Sequence, residues 1–166
     1  GRVERDVSHM LVPVHVESLR VDRTNNTPVV VLQEIEGERV LPIWIGANEA
    51  HAIASSLADT QYSRPLTHDL LASAINTLGA RLNEVKISRV EGKTYFAEMV
   101  CQRGDEVLTL DARPSDSVAV ALRMNAKILV DDLLLGDALA LGELEGADEG
   151  DEGEPDTETL SDEAAG

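Results

Sequence analysis

Val12, Val14 and Val16 alternate with Pro13, His15 and Glu17, the period of a half-buried strand. Val29 to Leu32 is a short β-branched run that reads as a second strand, and Asp22 to Pro28 supplies the turn between them. Glu36-Gly37-Glu38 turns the chain into a third strand, Arg39 to Ile45. Pro42 lies within it and cannot donate to a ladder, which puts that strand at an edge or a bulge. Beyond Gly46 the period becomes helical. Ala50, Ile53, Ala54 and Leu57 predict one apolar helix face, and Leu70, Leu71, Ala74, Ile75 and Leu78 predict another. Thr67 is placed to cap the second helix, and Gly79 stands where a left-handed residue ends one. Three more strands follow at Val85 and Ile87, at Tyr95 to Cys101 and at Val107 to Leu110, with hairpin turns at Glu91-Gly92-Lys93 and Arg103-Gly104-Asp105. Ser115 can cap a third helix ending near Asn125, Ala126 to Val130 is a short apolar strand, and Asp131 or Asp132 can open a last leucine-rich helix. The pattern predicts an α+β fold, a mixed and largely antiparallel sheet packed by three to four helices in a single compact domain over residues 11–141.

Composition narrows this picture. A chain of 166 residues supports one core of ordinary size rather than two. Cys101 is the single cysteine, so no internal disulfide forms and a reducing, cytoplasmic setting is expected. No apolar stretch reaches membrane-spanning length. Residues 1–10, with Ser8-His9-Met10, read as a tag remnant or a disordered N-terminus. The formal charge of −17 is uneven: residues 1–142 hold 20 acidic and 14 basic side chains, whereas residues 143–166 hold 11 acidic and none basic. Residues 142–166 therefore read as a disordered acidic tail, solubilising or able to compete with nucleic acid for a basic site.

One local pattern occurs twice, as Arg64-Pro65-Leu66-Thr67-His68-Asp69 and as Arg113-Pro114-Ser115-Asp116-Ser117. Each joins an arginine and a proline to a capping hydroxyl and a first-turn aspartate. Proline fixes the entry of the chain, the hydroxyl accepts a free N–H, and the aspartate sits at the positive helix end. All of this also fits a purely structural role, since capping and Arg–Asp pairing are common in domains of this size. Read functionally, Arg64, Thr67, Arg113 and Ser115 surround helix ends that favour phosphate, while His68, Asp69 and Asp116 supply acid–base chemistry. Three histidines in the body, His15, His51 and His68, do not make a zinc constellation. Glu49, Asp69, Asp111 and Asp116 are instead the oxygen ligands that magnesium or manganese would take. Cys101 fits a core position better than a nucleophile, and Trp44 and Phe96 fit the core better than a base-stacking surface.

Leu41-Pro42-Ile43-Trp44-Ile45-Gly46 leading to Glu49-Ala50, then Arg64 to Leu71, then Asp111-Ala112-Arg113 through Ala119, stand in order and at suitable spacing. Together they resemble the bifunctional nuclease domain family over about residues 14–130. That resemblance implies a compact α+β domain that hydrolyses phosphodiester bonds of DNA and RNA and self-associates. Against tight nucleic-acid binding, the tail-free body is itself acidic and the chain has four aromatic residues, Trp44, Tyr62, Tyr95 and Phe96, so binding is expected to be weak and salt-sensitive. The alternative is a non-catalytic oligomeric regulatory module that binds a phosphorylated small molecule or a protein partner.

Overall fold

A computed structural model describes residues 10–142 and 144–146. Most of the expected N-terminal segment, residues 1–9, and most of the expected tail lie outside them. Strands β1 (Leu11–Asp22), β2 (Thr27–Glu34) and β3 (Val40–Trp44) form an antiparallel meander, and helices α1 (Ala47–Leu57) and α2 (Thr67–Thr77) follow. Strands β4 (Arg81–Glu91), β5 (Thr94–Arg103) and β6 (Glu106–Ala112), helix α3 (Pro114–Met124) and strand β7 (Lys127–Asp131) complete the main body. The sheet runs β3-β2-β1-β7-β4-β5-β6, and a short β8 (Leu144–Gly146) pairs with β1. Of the described pairings, β4 with β7 is parallel and the rest are antiparallel. Pro42 does lie in an edge strand, and the fold is the expected α+β domain.

The helices pack on one sheet face. Val30 and Leu32 point into the main core with Ile53, Val85, Ile87, Met99, Val118 and Val120. Their neighbours Val29 and Val31 point to the opposite face and are covered by Val40, Leu141 and Leu144. Burial on both faces is why β2 reads as an unbroken apolar run instead of alternating. The Leu141 and Leu144 contacts also explain β8: three residues assigned by charge to the tail carry a leucine that fills the second cluster.

Several expectations change with tertiary context. Helix α1 buries Ala52, Ile53 and Ser55 rather than the stripe through Ala54 and Leu57. Helix α2 buries Ala72 and Ile75, while Leu70, Leu71 and Leu78 are exposed, because α2 packs against the flank of α3 at the margin of the helical layer. Val107, Leu108 and Leu110 of the edge strand β6 are exposed as well, and so is Trp44, whose indole N–H donates to Asp22 Oδ2 at 2.8 Å. Phe96 is half-buried beneath the Arg89 guanidinium, 4.2 Å from its ring centre. The last leucine-rich helix becomes two short 3-10 turns, Asp132–Leu134 and Ala138–Leu141. Between them Gly136 exchanges both backbone hydrogen bonds with Val40, at 2.8 and 2.9 Å, which pulls the chain out of helical geometry. Gly79 has the expected positive φ of 81°, and Asn125 ends α3 in the left-handed region at 56°.

Candidate active site

The first turns of all three helices border one groove of about 1040 Å³. Gly46, Leu66 and Arg113 are the extended residues that precede α1, α2 and α3, and none of the three caps its helix with its own side chain. Thr67 and Ser115 are thus inside their helices, not caps. Pro114 takes the first position of α3, where its missing N–H costs nothing. Asp69 closes the start of α2 by accepting from the Leu66 backbone N–H at 2.9 Å.

A continuous chain of polar contacts links the three helix starts. His68 Nε2 lies 2.8 Å from Asp116 Oδ1. Arg113 donates from Nε to Asp116 Oδ2 and from Nη2 to Glu49 Oε1, both at 2.8 Å. The His68 side chain is 12% exposed and that of Arg113 is 66% exposed, so the imidazole sits inside and the guanidinium at the mouth. Burial pushes the Asp116 carboxyl up, but the bonds from Arg113 and His68 outweigh it and hold the group below the usual aspartate range. Asp116 is therefore a carboxylate at neutral pH, and His68 Nε2 must be the donor in their bond. Donating to Asp116 and to Glu49 raises the Arg113 pKa above its ordinary value.

Asp69 is adjacent to His68 in sequence but faces away from this groove. It accepts from Arg123 Nε at 2.6 Å and borders a second, smaller depression of about 480 Å³ on the other side of α2. The Leu66 amide first, and then Arg123, keep its carboxyl below the usual range. Of the other residues singled out in sequence, Thr67 and Asp111 border the main groove. Arg64 is exposed beside Pro65, and Ser115 is buried at 7% exposure and does not border the groove. The four carboxylates proposed for a metal are split accordingly. Glu49 and Asp116 share Arg113, and Asp69 belongs to Arg123. Among the described residues no three His, Cys, Asp or Glu side chains gather in a group that could hold a metal ion.

Sequence reasoning missed His51 and Tyr62 as functional candidates. His51 borders the groove, and its Nε2 lies 3.1 Å from the Tyr62 hydroxyl. Leu66, Leu71, Met99 and Leu110 add apolar surface to the groove lining. Spacing offered no signal, because residues two apart on a helix, as Glu49 and His51 are, do not face each other.

A bifunctional nuclease domain model matches residues 30–141, a span that includes every side chain of the network. The chain belongs to the bifunctional nuclease domain family. An uncharacterized protein of Mycobacterium tuberculosis is 44% identical over 125 residues, covering 75% of this chain and 74% of that one. Bifunctional nuclease 1 of Arabidopsis thaliana is 23% identical over 111 residues, covering 64% of this chain and 34% of the relative. Bifunctional nuclease 2 of Oryza sativa subsp. japonica is 28% identical over 107 residues, 62% of this chain and 33% of its own length. The match to this chain thus spans about a third of each of these plant proteins. No described helix of this domain is long and apolar enough to cross a membrane.

Proposed function

We propose that the chain hydrolyses phosphodiester bonds of DNA and RNA in the groove where α1, α2 and α3 begin. The observation that carries this reading is the His68–Asp116 pair, held by Arg113 in an open groove within the family-matched span. His68 moves the proton, Asp116 orients and charge-balances the imidazole, and Arg113 with Arg64 and Thr67 meets the phosphate. Asp69 acts through α2 placement, because its oxygens are taken by Leu66 and Arg123. The Arg113, Glu49 and Asp116 charges sum to −1, so an incoming phosphate meets no net positive field. Magnesium or manganese, if used, would arrive on the substrate phosphates and take one or two carboxylates, Asp111 among them. Binding is weak and salt-sensitive, in keeping with an acidic body. We assign the protein to the cytoplasm as a homo-oligomer.

The test is cleavage of labelled single-stranded RNA and double-stranded DNA by the full chain, with magnesium, manganese or chelator, beside a His68→Ala, Asp116→Ala variant purified identically. Cleavage lost in the folded variant supports the reading, and equal cleavage by both proteins refutes it. A second reading, the oligomeric regulatory module, is favoured by the closure of Arg113 onto two carboxylates and by the exposed Val107, Leu108 and Leu110 on the edge strand β6. A Val107→Lys variant that sediments as a smaller species than the unmodified chain, with no cleavage by either, would support it.

A further inference from the structure

Resting on the nuclease reading, we propose that His51 is a second catalytic residue of the groove, the base that complements His68, and that Tyr62 is its positioning residue. Donor arithmetic carries the argument. Ser55 Oγ donates its one proton to the His51 carbonyl at 2.7 Å. Tyr62 lies 3.2 Å from Ser55 Oγ and 3.1 Å from His51 Nε2. With the serine proton committed, one arrangement makes all three contacts hydrogen bonds: Tyr62 donates to Ser55, and His51 donates from Nε2–H to Tyr62. That fixes the imidazole tautomer and leaves Nδ1 of neutral His51 as the acceptor.

His68 is pinned in the same sense, with Nε2–H on the Asp116 carboxylate. Both residues border the same groove, and neither Nδ1 has a hydrogen-bond partner among the described residues. Their anchors differ in charge. A negative carboxylate suits the ring that carries an extra proton, and a neutral phenol suits the ring that receives one. The roles follow. As a water oxygen forms its bond to phosphorus, His51 Nδ1 takes the water proton. As the bond from phosphorus to the departing sugar oxygen breaks, protonated His68 gives that oxygen its Nδ1 proton. One proton enters the pair and one leaves, and exchange with solvent restores both rings.

The experiment measures kcat and KM for cleavage of a labelled RNA oligonucleotide by the full chain and by His51→Ala, His51→Gln, Tyr62→Phe and His68→Ala variants, with and without added imidazole. Loss of a general base lowers rates by about 10²–10⁴-fold. Both His51 variants are therefore expected to lose kcat on that scale with KM little changed, and imidazole is expected to restore cleavage to His51→Ala. Tyr62→Phe is expected to show a smaller loss confined to kcat. Full activity in folded His51→Ala while His68→Ala is dead overturns this inference and leaves the nuclease reading standing. Loss of activity in both His51 variants without imidazole rescue assigns His51 a structural role and also overturns it. No cleavage by the unmodified chain removes the inference together with the reading beneath it.

Discussion

Arg113 and Arg64 each stand directly before a proline near the start of a helix, yet Arg113 is closed onto Glu49 and Asp116, whereas Arg64 is exposed and makes no hydrogen bond or ion pair with the described residues. Register explains the difference. Asp69 and Asp116 are both third residues of their helices. Arg113 is the residue immediately before α3, three from its aspartate. Arg64 lies two residues further out, five from its own, and has no helical geometry to bring the pair together. Each aspartate is then engaged across the helix pair. Asp116 of α3 holds His68 of α2, and Asp69 of α2 holds Arg123 of α3. One repeated pattern thus yields a tied helix pair with the main groove on one side and the Asp69–Arg123 clasp on the other.

The largest effect that would break this comparison is catalytic. His68→Ala is expected to lower kcat for nucleic-acid cleavage by about 10²–10⁴-fold, while Asp69→Asn retains kcat and loses thermal stability. Parallel kinetics and melting curves check it, and an Asp69→Asn loss as deep as that of His68→Ala would erase the division between the two sides of α2.

Next in size is the clasp. The Arg123 side chain is 10% exposed and also donates to the Ala119 carbonyl at 2.9 Å. Removing it strands a half-buried Asp69, so Arg123→Ala is expected to cost about 2 kcal/mol, discounted from the value for a fully buried pair because Asp69 reaches solvent. Urea denaturation measures this directly.

Acid sharpens the comparison further. Asp69 and Asp116 both titrate below the ordinary aspartate value of 3.8, so the unfolded chain takes up their protons first. Their contribution to stability is complete above that value and is lost as pH falls through the lower, folded-state values. Melting temperature followed from pH 6 to pH 2 is expected to fall less steeply for Asp116→Asn and for Asp69→Asn than for the unmodified chain.

Much of this was legible in the sequence, and the limits are physical. Period-two and period-3.6 patterns place the strands and helices because each element buries a face. They fail at α2 and β6, where Leu70, Leu71, Leu78, Val107 and Leu110 keep an apolar pattern at the margin of the sheet and helical layer. The unequal spacing of Arg64 to Asp69 and Arg113 to Asp116 was also readable. The cross-helix partners were not, since residues about fifty positions apart meet only once α2 and α3 are packed side by side. His51 and Tyr62, only eleven residues apart, meet because the chain after α1 turns back along that helix, which period alone does not reveal.

The smallest expected effect isolates the exposed arginine. Arg64→Ala removes no described hydrogen bond or ion pair, so its stability is expected to change by less than about 0.5 kcal/mol. If Arg64 meets a phosphate, the variant binds RNA more weakly at every sequence, and the slope of log affinity against log salt becomes shallower by about 0.7 for a single strand. Fluorescence anisotropy across a salt series reads both quantities. An unchanged slope would leave Arg64 outside the substrate path and confine phosphate recognition to the side where Arg113 is already paired.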